Sequence, residues 1–181
     1  MKKLLLAVTG ASGQIYALKL MQVINQLPSN QIHAEIVLTE TAKIVWKEEL
    51  GMPIPGGALD NNSYYHPFAS GSNAADAMII LPSTMGTIGR IASGATADLI
   101  TRAADVMLKE RRPLIICPRE TPLNLIHLRN LTTLAQAGAL IAPASPSFYT
   151  HPKDLEELIT TFALRIINLA GINVQQPRFG D

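Results

Sequence analysis

Cysteine is nearly absent: Cys117 is the single one in 181 residues. No intrachain disulfide can form, and no cluster of thiolates can hold zinc. A reducing, cytoplasmic setting is the simplest expectation. Charge of one sign is also missing. The formal net charge is +1, which gives no electrostatic reason to bind nucleic acid or an anionic membrane. No apolar run approaches the roughly 20 residues of a membrane span. The opening "MKKLLLAV" offers only Leu4–Val8 as an apolar stretch, short of the roughly 7–15 residues of a signal-peptide core. His33, His66, His127 and His151 show no metal-ligand spacing, so each is expected to be structural or exposed, and no metal is expected. Aromatic residues make up only 5% of the chain.

Apolar residues, by contrast, are plentiful at 48%, with 16% charged. That composition and length suit one globular domain, residues 1–181, with a sizeable core. The apolar runs Lys3–Thr9, Ile32–Thr39, Ala77–Pro82, Pro113–Pro118 and Ala139–Ala144 read as buried parallel strands. Between them lie helical patterns. Ala17, Leu20, Met21 and Ile24 recur at i, i+3, i+4 and i+7. Thr41–Leu50 reads as a short helix ended by Gly51, and "STMGTIGRIASGATADLITRAADVMLKERR" as one broken helix or two. Thr121 with Pro122 at the first position opens a helix ending near Gly138, and Pro152 opens the last. Five strands alternating with helices give an α/β fold: a three-layer, doubly wound parallel sheet of Rossmann or flavodoxin-like type. Its strand-to-helix loops share one carboxyl edge, where such folds bind ligands.

Two loops on that edge carry small and hydroxylated residues. "TGASG" lets backbone approach an anion at a helix N-terminus, and Ser12 adds a hydroxyl. "LPSTMGT" adds Ser83, Thr84 and Thr87, with Gly86 for close approach. The full G-x-G-x-x-G glycine pattern is missing, since Gln14, Ile15 and Tyr16 fill its end, and strand two ends in Thr39-Glu40. A mononucleotide fits these loops better than a dinucleotide. Arg102 and Lys109 lie two helical turns apart on one face. Arg111 and Arg112 read as a solvated helix end. Arg119 and Glu120 follow strand four directly onto the ligand edge. Arg165 falls among apolar neighbours of the last helix, and a buried arginine needs an anionic partner. Glu49 lies near the end of a short helix. Six aromatics, Tyr64, Tyr65, Phe68, Phe148, Tyr149 and Phe179, fall in expected loops, where they are surface residues or wall a pocket. Cys117 reads as a small core residue.

In order along nearly the whole chain stand "TGASG", "ASGS" (Ala69–Ser72), "MGT", "RAADVMLKERRPL", "PRETPLNLIHL", "FYTHP" and "PRFG". As an ordered set these stretches resemble the UbiX family of flavin prenyltransferases. The resemblance implies FMN as cofactor and substrate, no metal, and transfer of a dimethylallyl group from dimethylallyl phosphate to N5 and C6 of reduced FMN. It implies FMN contacts at Gly10, Ala11, Ser12, Thr39, Thr84, Met85, Gly86, Thr87 and Arg119. It implies prenyl-phosphate contacts at Ser70, Gly71, Arg102, Lys109 and Arg119, with Tyr149 and Arg165 reaching in from a neighbouring subunit of a homododecamer. Glu49, Arg102, Lys109 and Glu120 are the implied catalytic residues, and a tail at about residues 172–181 is implied to pack near the site. The product would pass to a UbiD-type decarboxylase. Tyr64 and Phe179 stand where well-known relatives carry tryptophan. Two other readings remain open here: a flavin-dependent cysteine decarboxylase, whose Pro-Ala-Ser-Ala-Asn-Thr loop is replaced by "PSTMGT", and a non-enzymatic FMN carrier.

Overall fold

The computed structural model describes residues 1–177 and 180. Strands β1 (Lys2–Val8), β2 (Ile32–Leu38), β3 (Ala77–Ser83), β4 (Leu114–Pro118) and β5 (Leu140–Ile141) form one parallel sheet in the order β2-β1-β3-β4-β5. Around it lie α1 (Gln14–Gln26), α2 (Glu40–Leu50), α3 (Met85–Ala92), α4 (Leu99–Lys109), α5 (Leu125–Gln136) and α6 (Leu155–Leu169). The central strands are apolar on both faces because both faces are covered. Leu4 and Leu6 pack with Leu20, Ile24, Phe162 and Ile166 of α1 and α6. Leu5 and Ala7 pack on the other face with Ile88, Leu99, Ala103 and Met107 of α3 and α4. Leu4, Leu5 and Leu6 are at most 1% exposed, and each such burial contributes about 1.5–3 kcal/mol. This is the expected three-layer, doubly wound architecture.

Three boundaries differ from the sequence reading, each for a local reason. The helical stretch after β3, read as one broken helix or two, is two helices. Ser93 ends α3, Gly94 takes φ 72°, and Asp98 restarts the chain through a reciprocal capping box with Thr101. The fifth helix starts three residues beyond the expected Pro122, because Asn124 and His127 form another such box. The last helix starts at Leu155, capped by the Asp154 carboxylate on Glu157 N at 2.8 Å. β5 pairs over two residues only. The chain nevertheless keeps beside β4, since Ala142 N donates to Ile116 O and Ala144 N to Pro118 O, while Pro143 has no N–H to give.

The long segment 51–76 is a strap rather than a free loop. Trp46 Nε1 donates to Pro53 O, and Leu59 N donates to Ile36 O, covering the outer edge of β2. Asn61 then closes the start of α4, its carbonyl accepting from Leu99 N and its side-chain oxygen from Ile100 N. Tyr64 donates through its hydroxyl to Thr96 O. Phe68, expected in a loop, is buried at 3% exposure as a plug in the α3/α4 face of the core. Two single turns of 3₁₀ helix, Pro67–Ala69 and Gly71–Asn73, lead into β3.

Candidate active site

The carboxyl edge is organised by a buried threonine that the sequence reading passed over. Thr9, at the end of β1, donates through Oγ1 to Pro82 O and accepts from Thr84 N, both at 2.8 Å. It thereby ties the turn after β1 to the turn after β3. Gln14 is fully buried beneath the first turn, and its Nε2 donates to Thr9 O at 2.9 Å and Ala11 O at 2.7 Å. The residue that spoils the glycine pattern is thus the clamp that shapes the turn. Gln14 Oε1 and the buried Ser83 hydroxyl lack partners among the described residues.

The first turn itself runs through Gly13, at φ 99°. Gly10 is needed for packing: a Cβ there would lie 2.4 Å from Thr41 Cγ2. Gly86 is the open one, with no atom nearer than 4.0 Å to an added Cβ, which suits close approach of a ligand. Thr84 caps α3, its Oγ1 accepting from Thr87 N at 3.1 Å. Thr39 caps α2 by accepting from Ala42 N at 3.0 Å. Thr87 and Met85 are buried, and the Met85 side chain lies in the core, so only its backbone faces the edge. Arg119 joins the edge from the end of β4. Its N–H donates to Ser83 O and its Nε to Ser12 O at 2.9 Å.

Glu49 reaches this edge from the end of α2. Its carboxylate accepts from Gly13 N at 2.9 Å and Gln14 N at 2.8 Å, occupying the free N–H groups of α1. Partial burial pushes the carboxyl up, but the Ser12 hydroxyl, the N–H groups of Gln14 and Gly13, and the Arg119 charge together outweigh it and hold Glu49 below the usual carboxylate value. The helix N-terminus expected to take a ligand phosphate therefore already carries an anion of the chain's own. Glu120, next after Arg119, is exposed and accepts from Thr121 N at 3.0 Å.

The other expected residues form two further groups. Arg102 Nε donates to Ala69 O at 3.1 Å, and an added Cβ at Gly71 would lie 2.5 Å from Lys109 Nζ. Lys109 ends α4 and is paired with Glu110, whose carboxyl it holds below the usual value. Gly71 and Lys109 stand near the amino ends of the strands, with Arg102 two turns earlier on α4. The neighbouring Asp76 accepts from Lys3 N and Arg112, and Met78 N donates to Pro113 O. The seven residues of β3 separate that end from Arg119's edge, about 20 Å at the usual rise. Gly71 and Lys109 therefore stand apart from Arg119 within one chain.

Tyr149 and Arg165 share a third place, a cavity of about 280 Å³ between α6 and residues 142–150, closed by Gln176 and Pro177. Buried Thr150 Oγ1 and Gln176 Oε1 in its wall have no partner among the described residues, so it is polar as well as cationic. Arg165 is exposed in the single chain, not buried as its apolar neighbours in sequence suggested: Phe162, Ile166 and Leu169 point inward from the same helix while Arg165 stands on the outer face. Phe179 lies outside the described residues. No group of His, Cys, Asp and Glu able to hold a metal occurs among the described residues, and no helix among them is long and apolar enough to cross a membrane. Cys117 is buried and burial pushes its thiol up, which makes it an inert core side chain.

The donor set of the carboxyl edge fits FMN. Hydroxyls of Ser12 and Thr84, an open Gly86 and the Arg119 guanidinium face it, with an orphaned Ser83 hydroxyl behind. Residues 1–163 match the family model described as Flavoprotein. The chain is 38% identical over 177 residues to a flavin prenyltransferase UbiX of Methanocaldococcus jannaschii, covering 94% of each chain. Among solved structures it is similar to AnUbiX in complex with FMN and dimethylallyl pyrophosphate, at TM-score 0.88 and 34% identity over 98% of each chain. It is also similar to a dodecameric FMN-dependent UbiX-like decarboxylase from Escherichia coli O157:H7, at TM-score 0.91 and 30% identity over 99% of each chain. The chain belongs to the Flavoprotein family and, within it, to the flavin prenyltransferases of the UbiX type.

Proposed function

We propose that this chain joins a dimethylallyl group from dimethylallyl phosphate to N5 and C6 of reduced FMN, and that the product passes to a UbiD-type decarboxylase in the cytoplasm. The observation that carries the reading is the set of ligand-facing groups on one edge, Ser12, Thr84, Gly86 and Arg119 over the Thr9–Gln14 support, in a chain of this family. Reduced FMN, when bound, supplies the electron-rich ring that accepts the allyl group. The residues Gly10, Ala11, Ser12, Thr39, Thr84, Met85, Gly86, Thr87 and Arg119 would hold it.

The chain's own part is charge and position. A departing monophosphate is a dianion, and arginine forks match its oxygens in pairs. Arg102 and Lys109 with Ser70 and Gly71 would bind it, joined by Arg119, Tyr149 and Arg165. Three separated groups meet around one phosphate only if copies of the chain assemble, which a homododecamer would provide. Fixed cations of this kind contribute most where charge develops during bond breaking. The π face of Tyr149 shields the cation-like allyl fragment. Glu49 holds the Ser12 hydroxyl, and the proton lost on ring closure would go to Glu49, Glu120 or the released phosphate.

Anaerobic incubation with reduced FMN and dimethylallyl phosphate, followed by mass spectrometry of the flavin, tests the reading. Prenylated FMN is the expected product. Tight flavin binding with no new flavin mass would overturn the reading in favour of a carrier.

A further inference from the structure

His66 and Glu35 stand outside every group described above, yet they hold the segment that carries Ser70 and Gly71. Glu35 sits on β2, in register with Leu5 of β1, on the face that buries Phe68. Its Oε2 lies 3.0 Å from His66 Nε2, and its Oε1 lies 3.3 Å from His33 Nε2. His66 Nδ1 accepts from Phe68 N at 3.3 Å, capping the 3₁₀ turn Pro67–Ala69. An imidazole nitrogen that accepts is unprotonated, so the proton of His66 sits on Nε2 and points at Glu35. The ring is thus held at both ends: one nitrogen starts the turn, and the other anchors it to the sheet. The next carbonyl along, Ala69 O, receives Arg102 Nε, and two residues on Gly71 faces Lys109. The ring also lies 5.0 Å from that of Phe68, the turn's core plug.

We infer that Glu35 and His66 are positioning residues for the prenyl-phosphate loop, setting where Ser70 and Gly71 stand against Arg102 and Lys109. The inference rests on the reading of those four residues as the phosphate site. A displaced loop weakens the phosphate contacts and leaves the flavin edge, organised by Thr9 and Gln14 in the turn between β1 and α1, as it was.

The test is a double-mutant cycle on the assembled protein with Glu35→Ala, His66→Ala and the pair, beside Glu35→Gln, His66→Asn and Arg102→Ala. His66→Asn keeps an acceptor for Phe68 N and loses the reach to Glu35, whereas Glu35→Gln keeps an oxygen for His66. Expected is a rise of about tenfold or more in KM for dimethylallyl phosphate in each alanine variant, with no further rise in the pair. FMN affinity, read by flavin fluorescence, stays within about twofold of wild type. Glu35→Gln recovers most of the loss and His66→Asn only part. KM unchanged in the alanine variants while Arg102→Ala raises it would overturn the inference alone. So would additive effects, or a rise in KM matched by a comparable loss of FMN affinity. If Arg102→Ala leaves KM unchanged, the phosphate-site reading fails and the inference falls with it. Should an alanine variant fail to fold, Glu35→Gln and His66→Asn carry the same comparison.

Discussion

Glu49 closes the start of α1: its carboxylate accepts from Gln14 N at 2.8 Å, and so holds the anion position that the turn after β1 creates. Its folded-state affinity for a proton is depressed by the Ser12 hydroxyl, the helix N–H groups and Arg119, in spite of partial burial. A depressed carboxyl stabilises the fold fully above its unfolded value and loses that contribution as pH falls through the folded one. Thermal unfolding of wild type and Glu49→Gln should therefore differ by a constant amount from neutral pH down to about pH 5. The gap should begin to narrow as pH falls past the ordinary carboxylate value, near 4.5, and keep narrowing below it. A gap that does not narrow at all between pH 5 and pH 3 would refute the ionised cap.

Thr9 links the two turns through one hydroxyl. Thr9→Val keeps the shape and the Thr9 N–H bond to Pro82 O but leaves Thr84 N without its acceptor, which costs about 1–3 kcal/mol. Denaturant unfolding should show that loss, and FMN titration should show several-fold weaker binding as the Thr84 turn loosens. Unaltered FMN affinity would mean that the hydroxyl supports the fold and not the ligand edge.

Gly10 lies against Thr41 with no room for a side chain. Gly10→Ala should destabilise by about 1–3 kcal/mol through overpacking. Adding Thr41→Ser removes Cγ2, 2.4 Å from the new methyl, but leaves Cβ at 2.7 Å, so recovery in a melting experiment should be partial. Full recovery, or none, would contradict the geometry.

Arg165 stands on the outer face of α6, and its removal should leave FMN binding intact. Arg165→Ala should lower kcat/KM for dimethylallyl phosphate by about 10²–10³, the loss typical of one fixed charge at a developing anion. Wild-type turnover would exclude it from the phosphate site.

The sheet and its order of helices were legible because the central strands are apolar on both faces and the strand-to-helix turns after β1 to β4 are short. Ser12, Thr84 and Arg119 were legible for the same reason, since each lies in such a turn. Thr9, Gln14, Glu35 and His66 were not. Their work is done through hydrogen bonds to backbone, or across the strap between β2 and β3, and no local spacing reports a partner 31 residues away, as His66 and Glu35 are. Phe68 misled because a lone aromatic in a polar segment looks the same in sequence whether it faces solvent or plugs a core. Arg165 misled because apolar neighbours in sequence do not say which side of a helix turns away from the core.

The distance along β3 between Lys109's end of the sheet and Arg119's end also carries a genetic consequence. If each reaction centre borrows one end from one copy and the other end from the next, then two dead variants are not equally dead together. Coexpressing Arg102→Ala with Glu49→Gln would regenerate a fraction of centres in which both contributions are intact, and activity would return in mixed particles that neither parent possesses.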